Sequence, residues 1–321
     1  MLVVLKWCEK HKALRGMGGE SMGVVVQKLL RVIFFFILMG PVLVAFPWLL
    51  VVALPYLYTY VDLSELKAGR KSAWFCSWRI WAFLRRYFSL TLVKTSDLDP
   101  AKVYVFAVHP HGILPFGGMM NMSSDLTGFE ELFPGIPRRG LAASFTFYIP
   151  LYRDFLLAAG ICDAARYTAR GLLEQGISIY LVPGGATEAL YSAPDSDTLV
   201  LKKRLGFVRL ALQHGASIVP VFSFNETNTF AQFSSSNALL NRLKAQFQAI
   251  FGISLPLIKN IIPCRVPVTS VCGEPLHLPR IEQPSDDETR RYLDLYIAKL
   301  QALYEQHKSY NLDPHKKLII L

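Results

Sequence analysis

The chain has 321 residues, of which 52% are hydrophobic and 18% charged, and its formal net charge is +10. A basic chain attracts polyanions, but the Lys and Arg residues are scattered in short groups without zinc-finger spacing or an RNA-binding aromatic signature, which disfavours nucleic acid. The 5 cysteines form no CxxC pair, which argues against a zinc or redox site. The apolar composition favours a protein with a membrane segment.

An uncharged, mostly apolar run extends from Val32 to Val61, which is long enough to cross a bilayer. Pro41, Pro47 and Pro55 interrupt it. Because each proline removes a helix hydrogen bond, a broken helix or a re-entrant helical hairpin is favoured over one straight span. Basic residues flank the run on both sides, which predicts that both of its ends face the cytosol. A single tilted span is the alternative.

The segments around this run have different characters. Residues 1–31 are predicted to be a basic cytosolic N-terminus. In the segment 62–96, tryptophan and other aromatic residues alternate with arginine, which is typical of an amphipathic helix at the lipid–water boundary. A core-packing helix with an aromatic face is the alternative. Residues 97–321 form the remaining, globular region.

Apolar strands alternate with helices from residue 97 onward, which predicts an α/β domain. The polar tail from Ser309 onward is predicted to be a surface extension. The predicted strands are Val103–Val108, Leu141–Phe145, Ile177–Val182, Ser217–Phe224 and Val268–Cys272. The predicted helices are Tyr152–Ala159, Tyr167–Glu174, Leu205–His214, Asn237–Phe251 and Asp286–Lys308.

The motif with the strongest chemical signal follows the first of these strands and consists of His109, Pro110, His111 and Gly112. It places two imidazoles at the carboxyl end of a buried strand, where ligands and catalytic groups gather in open α/β sheets. An imidazole can take up and return a proton near neutral pH, so His109 and His111 are candidates for a general base.

Glycines follow this motif. Gly112, Gly117 and Gly118 would let the backbone come close to a ligand, and their amides could bind an oxyanion. Two other interpretations of the histidines remain open. The rings could simply hydrogen-bond a turn, or the HxH pair could bind a metal, as in metal-dependent hydrolases. The remaining histidines are dispersed and complete no metal site.

A second glycine turn lies at the end of another apolar strand. Gly184 and Gly185 lead to Glu188, which could hold a histidine in its productive tautomer while the glycine amides meet an anion. Glu188 could instead act as a surface helix cap. Further on, Arg204 and Glu226 belong to a stretch whose cations could receive phosphates, although a charge run is also typical of a solvated face.

Taken together, these motifs resemble the diacylglycerol acyltransferase 2 family, which includes monoacylglycerol and wax-alcohol acyltransferases. The resemblance runs from the apolar hairpin to the C-terminal helix. It is carried by YVFAVHPHG at 104–112, FPGI at 133–136, VPGGATEAL at 182–190, RLGFVRLALQHGASIVPVFSFNE at 204–226 and CGEP at 272–275.

The resemblance implies a fold and a site. We expect a membrane-anchored α/β domain similar to glycerolipid acyltransferases, with a mixed sheet, flanking helices and an N-terminal hydrophobic helical hairpin. His109 and His111 match the family's active-site histidines. Relatives that act on glycerol phosphates carry a His-x4-Asp motif, but the corresponding positions here are Leu114 and Phe116. Glu188 is therefore our expected substitute for the aspartate.

The resemblance also implies an activity and a location. The expected reaction is esterification of diacylglycerol to triacylglycerol, with acyl-CoA as co-substrate and no metal or other cofactor. The expected location is the endoplasmic reticulum membrane or a lipid droplet, with the catalytic domain in the cytosol and oligomers possible. A monoacylglycerol or fatty-alcohol acceptor is an alternative within the family. A metal-dependent membrane hydrolase and a catalytically silent lipid-binding protein are alternatives of other classes.

Overall fold

A computed structural model describes residues 19–193, 196–230 and 262–321, together with the isolated positions 242, 246 and 259. The helix predicted at Asn237–Phe251 lies outside the described residues apart from two of those isolated positions. The remaining chain forms an apolar helical pair followed by an α/β domain.

The apolar run forms two helices that fold back on each other. Helix α1 spans Gly19–Ala45, a 3-10 turn follows at Pro47–Leu49, and helix α2 spans Leu50–Tyr60. The ring of Phe35 lies 5.7 Å from the ring of Tyr60, which joins the two helices near their open end. Proline begins the turn, where its missing N–H costs nothing, so the break occurs where the sequence predicts one.

Both helical segments are long and apolar enough to cross a membrane, over Val24–Ala45 and Pro47–Leu66. Few of their side chains are buried in the isolated chain; Trp48, for example, is 68% exposed. Apolar surface of this extent needs a cover other than water. The two helices therefore fit a membrane-bound protein, whereas their arrangement in a bilayer stays a prediction.

Two short helices connect the hairpin to the domain. Helix α3 spans Ala73–Cys76, and the Ser72 hydroxyl caps it by accepting the Phe75 N–H. Helix α4 spans Arg79–Tyr87. One side of α4 is buried through Trp81, while its arginines remain exposed, so α4 is amphipathic; its position at the lipid–water boundary stays a prediction.

The domain is built on a mixed sheet of seven strands in the order β1-β8-β7-β2-β5-β3-β4. The five strands from β7 to β4 run parallel, β8 runs antiparallel to β7, and β1 runs parallel to β8. The strands are β1 Thr91–Lys94, β2 Tyr104–His109, β3 Arg138–Ala142, β4 Ile161–Asp163, β5 Ser178–Leu181, β7 Ser217–Phe224 and β8 Thr269–Cys272.

Helices cover both faces of this sheet. In β2, Val105 and Ala107 belong to one hydrophobic core, and Phe106 and Val108 belong to the core on the other face. This alternation explains why β2 is apolar at every position. The domain helices are α5 Phe116–Ser123, α6 Phe129–Leu132, α7 Tyr152–Ala158, α8 Arg166–Glu174, α9 Ala186–Tyr191, α10 Gly206–His214 and α11 Asp286–His307.

The C-terminal tail corrects one prediction. Instead of extending over the surface, it forms strand β9, Leu318–Ile320, which pairs in parallel with β6, Asp197–Leu199. Lys316 is buried, and its ammonium group lies 2.9 Å from the Asp197 carboxylate. Lys316 makes the tail look polar in the sequence, but it is buried because Asp197 pairs with it. Hydrophilicity alone does not reveal such a pairing.

Candidate active site

His109 is the last residue of β2 and is completely buried. Its Nε2 lies 2.9 Å from the hydroxyl of Tyr296 on α11, while its Nδ1 has no partner among the described residues. Burial lowers the pKa of His109 to about 3, so the ring is neutral at physiological pH. Sequence inspection missed Tyr296, because tyrosines at helical spacing are typical of a packed helix face.

His111 has a different environment, since it is partly exposed. Its Nδ1 lies 3.1 Å from the Gly112 carbonyl oxygen, which can only accept a hydrogen bond. In the neutral ring the proton therefore lies on Nδ1, and Nε2 carries the free lone pair. Nε2 has no hydrogen-bond partner among the described residues, and it is not enclosed by the protein. Burial lowers the pKa of His111, which keeps the lone pair available at neutral pH.

Glu188 lies beside His111 but contacts its backbone instead of its ring. The buried carboxylate accepts the His111 N–H at 2.9 Å through Oε2 and the Val200 N–H at 3.0 Å through Oε1. Neither histidine ring is hydrogen-bonded to it, so the predicted tautomer-holding role does not match this geometry. The carboxylate instead fixes the path of the main chain through the motif. Burial raises the pKa of Glu188 to about 7.

Glu226 occupies the place where the glycine amides were expected to bind an oxyanion. Its buried carboxylate accepts the Gly117 N–H at 2.9 Å and the Gly118 N–H at 2.8 Å, at the start of α5. A carboxylate is stabilised at a helix N-terminus by these donors. Gly117 and Gly118 are therefore engaged inside the protein, and Glu226 is a helix anchor in this structure. Burial raises the pKa of Glu226 to about 7.

Close packing explains why glycine is required around both carboxylates. A Cβ on Gly184 would lie 1.9 Å from Glu188 Oε1, and one on Gly117 would lie 2.9 Å from Glu226 Oε2. Gly112 has a φ of +58° and lies against the Glu226 side chain, so the histidine loop and Glu226 meet at the same edge of the sheet.

Arg204 is partly committed to the protein itself. Its Nη2 donates to the Gly184 carbonyl oxygen at 3.0 Å and to the Thr187 hydroxyl at 2.7 Å. It therefore holds the Gly184–Gly185 turn beside Glu188. Pro110 follows His109 through a cis peptide bond and completes the turn between the two histidines. Apart from Arg204, which follows β6, the predicted residues thus lie at the carboxyl end of β2 or in the segments that follow β2, β5 and β7.

The C-terminal tail holds the loop after β7, a contact that no sequence motif predicts. Asn225, next to Glu226, accepts the Leu312 N–H at 2.9 Å, and its amide donates to the Tyr310 carbonyl oxygen at 2.9 Å. Lys316 donates to the Thr227 hydroxyl at 2.7 Å. The tail therefore holds both neighbours of Glu226 in place.

Within the described ranges, no group of three or more His, Cys, Asp or Glu side chains is arranged to hold a metal ion. The HxH rings are held instead by Tyr296 and by the Gly112 carbonyl oxygen. The metal-hydrolase interpretation therefore gains no support from the geometry. What the site offers is a neutral imidazole, whose basic nitrogen meets no partner in the part of the chain that the structure describes, at the carboxyl end of a central parallel strand.

Comparison with known proteins finds acyltransferases. A family model described as "Diacylglycerol acyltransferase" matches residues 41–321. Acyl-CoA wax alcohol acyltransferase 1 of Mus musculus is 39% identical over 79% of this chain and 82% of its own length. 2-Acylglycerol O-acyltransferase 3 of Homo sapiens is 38% identical over 78% of each chain. Diacylglycerol O-acyltransferase 2A of Umbelopsis ramanniana is 34% identical over 96% of this chain and 85% of its own length.

Among solved structures, the 1-acyl-sn-glycerophosphate acyltransferase PlsC from Thermotoga maritima matches with a TM-score of 0.42 and 15% sequence identity, over 88% of this chain and 98% of that one.

The family model and these relatives show an acyltransferase of lipid biosynthesis, and the apolar helical pair fits a membrane-bound protein. The chain belongs to the diacylglycerol acyltransferase family. This confirms the fold class and the family that the sequence motifs indicated.

Proposed function

We propose that the protein transfers a fatty acyl group from acyl-CoA to the free hydroxyl of diacylglycerol, which forms triacylglycerol. The observation that carries the proposal is the contact of His111 Nδ1 with the Gly112 carbonyl oxygen at 3.1 Å, which places the ring proton on Nδ1 and leaves Nε2, without a partner among the described residues, to accept a proton. An alcohol is a weak nucleophile until a base removes its proton, so this nitrogen supplies what the reaction needs.

The reaction proceeds in one direct transfer. His111 Nε2 takes the hydroxyl proton as the alcohol oxygen attacks the thioester carbonyl carbon. The new C–O bond forms, the tetrahedral intermediate collapses, and the C–S bond breaks. The proton held by the imidazolium then passes to the CoA thiolate. Each proton and electron pair is accounted for without a metal or a redox cofactor.

The developing oxyanion needs a donor other than the amides of Gly117 and Gly118. The Gly112 N–H directly follows His111 and makes no hydrogen bond to any described residue. We assign the oxyanion contact to this amide. Backbone donors that are already oriented stabilise such charge with little reorganisation.

His109 positions the loop that carries His111. His109 is enclosed and held by Tyr296, so a substrate hydroxyl does not reach it in this structure. Its ring and the Glu188 carboxylate hold the main chain on either side of Pro110. Lys202 and Lys203 are exposed near Arg204 and provide cations for the phosphates of CoA.

We further propose that the enzyme resides in the endoplasmic reticulum membrane or on lipid droplets. The basic segment 1–31 and the catalytic domain would face the cytosol, where acyl-CoA is available. Diacylglycerol would enter laterally from the bilayer.

A competition assay tests the acceptor. Microsomes that contain the chain are given labelled oleoyl-CoA with diacylglycerol, monoacylglycerol, a fatty alcohol or a sterol, and the ester products are separated. We expect triacylglycerol to be the dominant product. A dominant wax ester or diacylglycerol product would overturn the choice of acceptor while leaving the acyltransferase mechanism intact.

A wax-alcohol acceptor is the second candidate. It is favoured by the 39% identity to acyl-CoA wax alcohol acyltransferase 1, which exceeds the 34% identity to diacylglycerol O-acyltransferase 2A. Discrimination between hydrophobic alcohols depends on the shape of the pocket, so the competition assay separates the two candidates.

A further inference from the structure

The catalytic domain carries an apolar surface of its own beside the base of the hairpin. Ile149, Leu151, Tyr152 and Phe155 are all exposed, and Leu151 is 70% exposed. Single exposed apolar residues are ordinary, but several within one short segment mark an interaction surface.

The backbone at Leu151 is strained. Its φ is 66° and its ψ is −43°, and the Tyr152 N–H donates to the Pro150 carbonyl oxygen at 2.8 Å. These features define a γ-turn with a positive φ, a conformation that is rare and strained for a residue with a side chain. The chain therefore holds a leucine where glycine would be easier, and the leucine side chain projects outward. Strain of this kind persists where a position serves a function.

This surface is continuous with the hairpin. The Leu151 N–H donates to the hydroxyl of Tyr56, at 2.9 Å, and that hydroxyl donates to the Asp154 carboxylate. Tyr56 lies in helix α2, inside the second segment able to cross a membrane. The exposed turn therefore lies where the hairpin meets the domain.

The surface also continues into helices α3 and α4. The ring of Phe155 lies 5.5 Å from that of Phe75 and 5.8 Å from that of Trp81. Next to Phe75, the exposed Trp74 and Trp78 pack edge to face at 4.7 Å. Exposed arginines follow on α4. Tryptophan and arginine side by side are typical of the membrane interface.

Buried charges fix the orientation of this surface relative to the hairpin. Arg153, between Tyr152 and Phe155, is fully buried and lies 2.9 Å from Glu65. The other oxygen of Glu65 pairs with Arg31 of helix α1, which is also fully buried. A paired, enclosed network of this kind has one preferred geometry. The exposed turn and the hairpin therefore form one unit.

We propose that Ile149, Leu151, Tyr152 and Phe155, together with Trp74 and Trp78, form a second membrane-contact surface that dips into the bilayer holding the hairpin. We call these six residues the lipid platform. Its occupant is the lipid bilayer, because the platform adjoins the membrane helices and ends in exposed tryptophan and arginine. The platform sets the height of the catalytic domain above the lipid, independently of which alcohol the enzyme esterifies.

Depth-dependent quenching of a fluorophore tests the proposal. The full-length protein is reconstituted in phospholipid nanodiscs with an environment-sensitive fluorescent amino acid at position 151. We expect nitroxide-labelled phospholipid to quench this fluorophore and iodide in the water to have little effect. The matched control is Leu295, which is 46% exposed on α11 and flanked by Asp294 and Arg291. There we expect quenching by iodide alone.

Iodide quenching at position 151 equal to that at position 295 would overturn the proposal. Fluorophore self-quenching or photo-crosslinking between two copies at position 151 would also overturn it, because the occupant would then be a protein.

A substitution provides an independent check. Leu151→Asp should reduce lipid quenching of a probe at Trp78, whereas Leu295→Asp should not. Leu151→Gly, which suits the positive φ, separates loss of the side chain from misfolding and should also reduce that quenching. Unchanged quenching in both Leu151 variants would contradict the proposal. The readout does not depend on acyl transfer, so its failure is distinct from failure of the proposed function.

Discussion

Removal of one buried hydroxyl, by Tyr296→Phe, tests whether His109 positions the histidine loop. The phenylalanine keeps the ring contact with Phe207, whose centroid lies 5.3 Å away, so the volume of the core is preserved. What is lost is the hydrogen bond at 2.9 Å to His109 Nε2. Since His109 is completely enclosed, water does not replace the missing partner.

The expected magnitude follows from that enclosure. A buried polar group left without a partner costs about 1–3 kcal/mol. If this cost appears as displacement of the loop from its productive geometry, kcat falls by a factor of about 5 to 160. The KM for acyl-CoA should stay close to the parental value, because Tyr296 is completely buried, whereas Lys202 and Lys203, the cations assigned to CoA, are exposed.

The assay is acyl transfer from labelled oleoyl-CoA in isolated membranes, with kcat and KM measured across pH 5.5 to 9 and thermal unfolding measured in parallel. The matched control is Tyr104→Phe. Tyr104 lies at the opposite end of β2 from His109, and its hydroxyl is hydrogen-bonded to the main chain of Asp99. Both variants should lose stability, but only Tyr296→Phe should lose kcat. Equal kcat in the two variants would refute a positioning role for His109 and Tyr296.

Three further outcomes are expected. Burial raises the pKa of Glu188 and of Glu226 from 4.5 to about 7. Each group therefore stabilises the fold most below pH 4.5, and its contribution of about 3 kcal/mol is lost as the pH rises through 7. The thermal unfolding of Glu226→Gln should depend less on pH than that of the parent, and an unchanged pH dependence would contradict this. Lys316→Ala leaves the buried Asp197 without its cation and should lower the free energy of unfolding, measured with denaturant, by about 3–5 kcal/mol. Lys317→Ala, at the exposed neighbouring position, should lower it little. Equal losses in the two variants would refute the buried pairing. Glu65→Ala leaves two buried arginines without their shared partner, so limited proteolysis should cleave between hairpin and domain faster than in the parent, and equal cleavage rates would contradict the network.

The sequence predicted the central strands well because burial on both faces leaves a continuous apolar run. Strand β7 begins and ends where the pattern predicts, and all of its residues are buried. The short strands β1 and β4 have 4 and 3 residues, too few to show a period, and both were missed. The strand predicted at Leu141–Phe145 lies at Arg138–Ala142, since its arginines are held by ion pairs and main-chain oxygens that make a basic start compatible with burial.

The candidate site was located by its glycine turns and histidines, but its partners were not. Glu188 is close to His111, as predicted, yet it binds the main-chain N–H, a distinction that only the geometry provides. Tyr296 lies 187 positions from His109 in the chain, so no local pattern connects them. Glu226 was assigned to substrate, whereas the fold uses it to anchor helix α5.

The most direct test of the mechanism is the rate of acyl transfer in a folded His111→Ala variant, with the exposed His315→Ala as its control. Single-turnover formation of labelled ester in isolated membranes should fall by about 10²- to 10⁴-fold in His111→Ala, since its proton acceptor is gone. The control should keep the parental rate. Ester formation by a well-folded His111→Ala protein at the parental rate would contradict the assignment of His111 as the base.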